Sequence, residues 1–146
     1  MISVSDRVSR VLSASYLPSI TSKLTIGNSD VYLKLAWMDG NVVNIDINLS
    51  TNDKEVNDSS YHLARSWVED SCRMASMLLQ RGVEIGEITK MWRGVEGFPN
   101  GFCPQIGGIM RGPLHAVAIR IDDRIEHWTD MISISEASRK EPLGDG

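Results

Sequence analysis

The stretch Val31-Tyr32-Leu33-Lys34-Leu35-Ala36-Trp37-Met38-Asp39-Gly40-Asn41-Val42-Val43-Asn44-Ile45-Asp46-Ile47-Asn48-Leu49 decides the fold. Before Asp39-Gly40, the residues Val31, Leu33, Leu35 and Trp37 fall on one side of an extended chain. After it, Val43, Ile45, Ile47 and Leu49 alternate with Asn44, Asp46 and Asn48. Successive side chains of a strand point to opposite faces, so a period of two describes strands that bury one face and wet the other. Asp-Gly supplies residues that tolerate the positive φ angles of a tight turn whose twist matches that of the strands. The stretch is predicted to be a β-hairpin. A hairpin alone is marginal in water, so a third strand or a second subunit must complete the sheet, and Leu24-Thr25-Ile26 is the candidate strand.

On either side the period changes. Ser50 to Ser60 is polar and aperiodic, which reads as an exposed loop. From His62 to Arg81, the residues Ala64, Trp67, Val68, Ser71, Cys72, Ala75, Leu78 and Leu79 return at helical spacing, and Gly82 stands where a left-handed C-cap is expected. Ile85, Ile88 and Trp92 mark a second, short helix. Pro113 suits the first turn of a last core helix that turns Leu114, Val117, Ala118 and Ile121 inward. Trp37, Trp67 and Trp92 are all assigned to core packing.

At the N-terminus, Ser5-Asp6 can cap a helix bearing Val8, Val11 and Leu12, with Pro18 ending it, so 1–23 is expected to be a helical segment. Residues 122–146 are expected to form a C-terminal segment, helical at first, with a flexible tail from Glu136. Between them, 24–121 reads as one α+β domain: a small antiparallel sheet packed against a long helix and shorter helices, with a glycine-rich loop before the last core helix.

Composition narrows the function. A net charge of -4 provides no basic field, which makes nucleic acid an unlikely partner. No apolar run approaches the roughly 20 residues of a membrane span, and the opening residues lack the pattern of a signal peptide. Two cysteines, Cys72 and Cys103, are too few for a disulfide framework. A cytoplasmic setting is expected.

The order of these elements resembles a known domain. Leu24-Thr25-Ile26-Gly27, Val31-Tyr32-Leu33-Lys34-Leu35, Asp39-Gly40, a second strand, a helix ending Leu78-Leu79-Gln80-Arg81-Gly82-Val83 and the turn Phe98-Pro99-Asn100-Gly101 are similar to the TSCPD domain near the C-terminus of adenosylcobalamin-dependent ribonucleotide reductases. That family takes its name from a Thr-Ser-Cys-Pro-Asp run before its last helix. The matching place here reads Met110-Arg111-Gly112-Pro113-Leu114-His115, without the cysteine and with His115 near the aspartate's place. Further cysteines that suggest metal binding in the family are missing before the long helix. In the reductases the radical chemistry belongs to a large barrel domain, so the resemblance implies an accessory or regulatory binding module that is not itself an enzyme. Its implied partners are a reductase subunit, another protein or a nucleotide, and it implies no cofactor.

The chemistry-bearing candidates cluster in one region. Gly94, Gly97, Gly101, Gly107, Gly108 and Gly112 are half of the chain's 12 glycines, and Arg93 and Arg111 bracket the stretch. Glycine-rich turns and a helix N-terminus present backbone N–H groups to an anion, so Arg93, Gly94, Arg111, Gly112 and His115 form the candidate site for a nucleotide phosphate. The plainer reading is that the glycines only let the loop fold tightly. Cys103 with His115 is the weaker alternative, either as a metal pair, to which His62 or His127 would add, or with a histidine as base to a thiol nucleophile. Trp128 is a candidate interface anchor, and pairing along the sheet edge makes a homodimer a candidate assembly. A purely structural oligomer is the remaining alternative.

Overall fold

The computed structural model describes residues 16–51 and 58–140, with Val8 and Val11 as isolated helical positions. The expected Ser5-Asp6 cap, the middle of the polar loop and the last residues of the tail lie outside the described residues. The elements are β1 (Ser19–Ile26), β2 (Ser29–Met38), β3 (Asn41–Thr51), α1 (Asp58–Gln80), α2 (Ile85–Trp92), β4 (Gly101–Cys103), β5 (Gly108–Met110) and α3 (Pro113–Lys140). The architecture is α+β.

The expected hairpin is β2–β3, with Asp39 at φ 53 and Gly40 at φ 81 turning the chain. Val31, Leu33, Leu35 and Trp37 are buried together with Ile45, Ile47 and Leu49. Alternation breaks near the turn, where Ala36 pairs with Asn44 but Trp37 pairs with Val42. Val43 is the extra residue of this bulge, so Val42 and Val43 are both buried although they are adjacent.

The third strand is β1, antiparallel to β2, which gives the order β1-β2-β3. It begins at Ser19, so the helical segment expected over 1–23 is corrected for Ser19 to Lys23. What hid the strand is Ser22: it occupies the inner face between Ile20 and Leu24, where a hydroxyl breaks the apolar alternation, and its Oγ accepts from Arg120 Nε of α3 at 3.3 Å.

The helix α1 runs along β3 and meets its free edge with side chains. Ser76 Oγ accepts from the Ile45 N–H at 3.0 Å and donates to the Ile45 carbonyl at 3.1 Å. The Ile47 backbone hydrogen-bonds the Cys72 sulfur, and Arg65 donates from Nε and Nη2 to the Leu49 carbonyl at 3.1 and 2.9 Å. These contacts engage part of the outward-facing backbone of the edge, at Ile45, Ile47 and Leu49, and leave fewer groups for a further strand. At the opposite edge, the Thr25 N–H donates to Gln105 Oε1 at 2.8 Å and the Gly27 N–H to the Phe102 carbonyl at 3.1 Å. The small β4–β5 hairpin, which the glycine density concealed from sequence reading, thus docks onto β1.

The buried face of α1 carries Tyr61, Ala64, Val68, Cys72, Ala75 and Leu79. Trp67, assigned to the core from sequence, is 36% exposed. It lies some 100° round the helix from the centre of that stripe by the 3.6-residue turn, with its ring against Gly97. The helix ends as expected: Val83 N–H donates to the Leu78 carbonyl at 3.0 Å and Gly82 N–H to that of Leu79 at 3.1 Å, with Gly82 at φ 98, which together make a Schellman cap.

The last helix corrects two further expectations. It continues through Asp122-Asp123 to Lys140 as one element, so the tail expected from Glu136 is helical for its first residues. Both aspartates are exposed and leave the buried stripe in phase: Ile121, Trp128 and Ile132 are all buried. Trp128 is 7% exposed and belongs to the core of this chain, not to an interface. Among the described residues no helix is long and apolar enough to cross a membrane.

Candidate functional site

The structure brings Arg93, Arg111 and His115 together at the corner where α2 ends and α3 begins. Arg93 is the C-cap residue of α2, its N–H donating to the Thr89 carbonyl at 3.0 Å. Its guanidinium turns to α3 and contacts Asp122 Oδ2 from Nε at 2.9 Å and Nη2 at 2.8 Å. The other carboxylate oxygen accepts from Thr89 Oγ1 at 2.7 Å, and Thr89 is buried. Asp122 therefore latches both ends of α2's last turn to α3. A half-exposed pair of this kind contributes on the order of 0.5 kcal/mol by itself.

Arg111 ties the corner at three points. Its carbonyl accepts from the Gly97 N–H at 3.0 Å, its N–H donates to His115 Nδ1 at 3.0 Å, and its Nη2 donates to the Arg93 carbonyl at 2.9 Å. His115 sits in the first turn of α3 and reaches back to a free N–H, as the glutamate of a capping box does. Because Nδ1 is the acceptor, the neutral ring carries its proton on Nε2. Burial lowers the His115 pKa below 6.5, and the Arg111 and Arg93 charges lower it further. Arg111 is exposed, and among the described residues no carboxylate pairs with it.

This cause has a pH signature. The folded state binds the His115 proton more weakly than the unfolded chain, so its contribution to stability is present above about pH 6.5 and is lost as pH falls through the lower folded value. A proton NMR titration is expected to place His115 below 6.5, and Arg111→Ala is expected to move the midpoint up towards it. A midpoint at or above 6.5 would contradict the geometry.

The glycines divide by role. A Cβ on Gly112 would meet Gly97 N at 2.7 Å, and one on Gly97 would meet the Trp67 ring at 2.9 Å. Here two backbones cross in contact and rest on α1, as the plainer reading of the loop has it. At Gly94 a Cβ would meet nothing within 4 Å, so its place at the corner reflects sequence position more than need. The Phe98–Pro99 peptide bond is cis.

The cysteines are each engaged elsewhere. Cys103 is fully buried and its thiol donates to Gln105 Oε1 at 3.4 Å. Burial, reinforced by the Asp46 charge, pushes the Cys72 thiol up to about 12. Among the described residues no group of three or more His, Cys, Asp and Glu side chains could hold a metal ion. His62 and His127 are exposed on separate helices, α1 and α3.

Sequence reading missed Thr89, Asp122 and Arg120. A signal existed for Asp122, because His115, Ile119 and Asp122 recur at helical spacing and so share the α3 face that meets Arg93. A cavity of about 370 Å³ opens beside the latch, lined by Arg93, Gln105, Ile106, Arg120, Asp122 and Asp123. A longer polar groove of about 770 Å³ runs between α1 and the open face of β3, past Lys34, Asp46, Glu69 and Arg73.

A three-stranded antiparallel sheet with one edge bordered by a long helix, a glycine-crossed corner and a final helix opening on Gly112-Pro113 describes a class of small α+β modules. The TSCPD domain family model matches residues 5–123, and the chain belongs to that family. Comparisons with curated proteins and with solved structures return no match.

Proposed function

We propose that this chain is an accessory or regulatory binding module of the ribonucleotide reductase type, without catalytic chemistry of its own, that works through the Arg93–Arg111–His115 corner. The observation that carries the reading is the corner itself, which occupies the place of the family's namesake run. Where the family has Thr-Ser-Cys-Pro-Asp, this chain sets an exposed guanidinium and a neutral imidazole at the start of α3, and the first turn of that helix holds no acidic residue. The thiols support a binding role over a chemical one: a Cys72 pKa of about 12 leaves a protonated sulfur at neutral pH, and Cys103 is shut from solvent.

A nucleotide phosphate is the ligand chemistry the corner favours. Arg111 and the partial positive charge of a helix start both attract an oxyanion, and the Nε2 proton of His115 can donate to one. Arg93 is neutralised by Asp122 and serves as the wall against which Arg111 is held. The test is thermal denaturation of the chain with nucleoside triphosphates, followed by pull-down with a reductase catalytic subunit. Binding at 100 times Kd is expected to add about 2.7 kcal/mol to stability, and Arg111→Ala is expected to remove that shift while leaving the unliganded melting temperature within a degree or two. No response to nucleotides together with no recovery of the subunit would refute the proposal.

A further inference from the structure

The strand β1 leaves part of its outer edge unused. The Trp37 N–H donates to the Pro18 carbonyl at 2.9 Å, whereas the N–H groups of Thr25 and Gly27 turn away from β2, to Gln105 and Phe102. Even-numbered residues of β1 therefore exchange backbone hydrogen bonds with β2, and odd-numbered ones point their backbone groups outward. The β4–β5 hairpin engages Thr25 and Gly27 but reaches no further. At Ser19, Thr21 and Lys23, all exposed, the outward N–H and C=O groups have no partner among the described residues. Such a row is an open template for a further strand.

A pocket with an unbalanced charge adjoins this template. The cavity of about 370 Å³ is walled by Gln105, which holds the Thr25 N–H, and by Arg120, which holds Ser22 Oγ, so it opens beside the inner face of the edge. Two carboxylates line it and both are already engaged, Asp122 by Arg93 at 2.8 Å and Asp123 by Arg124 at 3.5 Å. Arg120 is half-buried, and among the described residues its guanidinium has the Ser22 hydroxyl alone, through Nε. Its terminal Nη groups are left for another acceptor. A planar guanidinium matches a carboxylate, which accepts two parallel N–H···O bonds from it. On the same face of β1, two residues before Ser22, Ile20 is a half-buried side chain packed against the core.

We propose that an acidic peptide segment of a partner protein adds to the β1 edge as an antiparallel strand and is read by Arg120. Backbone hydrogen bonds supply the affinity of this binding mode and alternate side chains its specificity. The segment has the form x-Glu-x-Val-x, in which Asp can replace the acid and another aliphatic residue the valine. Its first, third and fifth residues face Lys23, Thr21 and Ser19 and make the hydrogen bonds. Its second faces Ser22 and sets the carboxylate at Arg120, and its fourth lies beside Ile20. Residues opposed in this way, without hydrogen bonds between them, have Cα atoms about 4.5 Å apart and side chains in contact. Because Gln105 already occupies the Thr25 N–H, the ladder ends at Lys23 and the register is fixed. The site uses neither Arg111 nor His115.

Fluorescence anisotropy of the full chain with a labelled, C-terminally amidated Thr-Glu-Thr-Val-Thr peptide tests this. Saturable binding is expected. Glutamine in place of the peptide's glutamate, or Arg120→Gln in the chain, is expected to weaken it by about tenfold or more, and the two together no further. N-methylation of the central threonine is expected to abolish binding, whereas on the glutamate, whose N–H points away from β1, it is tolerated. Thr21→Pro is expected to abolish binding without changing the circular dichroism spectrum, because it removes an outward N–H and no bond to β2. In sedimentation velocity the chain alone is expected to stay at 16.2 kDa. A dimer that Thr21→Pro dissolves would assign the edge to a second copy and overturn the proposal. So would the absence of saturation up to about 1 mM peptide, or binding indifferent to Arg120→Gln or to Thr21→Pro.

Discussion

Trp37→Ala is expected to destabilise the fold by about 3–5 kcal/mol, the range for removing a large buried aromatic side chain. Trp37 has no exposed surface and lies at the bulge where β2 and β3 change register. Its Nε1–H donates to Thr129 Oγ1 on α3 at 3.2 Å, so the same side chain fills the core and fixes the distal half of the last helix. Truncation leaves a cavity on the sheet side and an unpartnered hydroxyl on the helix side. Thermal or urea denaturation followed by circular dichroism measures the loss, which at this chain length corresponds to a fall in Tm of roughly 10–15 °C. A change below about 1 kcal/mol would mean that Trp37 is not at the centre of packing.

Gly112→Ala is expected to cost about 1–3 kcal/mol, the usual range for overpacking, although it adds one methyl group. The added carbon would sit 2.7 Å from the backbone nitrogen of Gly97 and 3.2 Å from its Cα. Backbone cannot step aside as a side-chain tip can, so the crossing must open and the Gly97–Arg111 hydrogen bond must lengthen. Gly94→Ala is the matched control: with nothing within 4 Å of the new Cβ, it should be nearly neutral in the same denaturation series. Equal effects at the two glycines would show that the corner is not closed as described.

The hairpin was legible in the sequence because its two determinants are local. Alternation of Val31, Leu33 and Leu35 and the Asp39-Gly40 turn need no knowledge of what lies elsewhere in the chain. The extent of β1 was not legible, since the inner-face Ser22 is satisfied by Arg120, which lies 98 positions away. Trp67 and Leu78 were assigned to the core for a related reason. A helix with two apolar faces reads as one broad stripe until the sheet selects which face it covers. The corner was half legible: Arg93, Arg111 and His115 could be gathered by their position around the glycines, whereas Thr89 and Asp122 join them only through the packing of α2 on α3. Trp128 shows the opposite error, in which adjacent aspartates looked like a break but occupy the wet side of an uninterrupted helix.

The way α1 lies along β3 ties two hazards to a single event. While Ser76, Cys72 and Arg65 hold the backbone of Ile45, Ile47 and Leu49, the strand offers fewer groups to a neighbouring polypeptide and the sulfur is too weakly acidic to react. If the helix lifted away, a naked template for intermolecular β-pairing and a thiol with its ordinary acidity near 9.0 would appear at the same moment. Protection against aggregation and protection against oxidation are thus a single property of this molecule, set by how firmly one helix is seated.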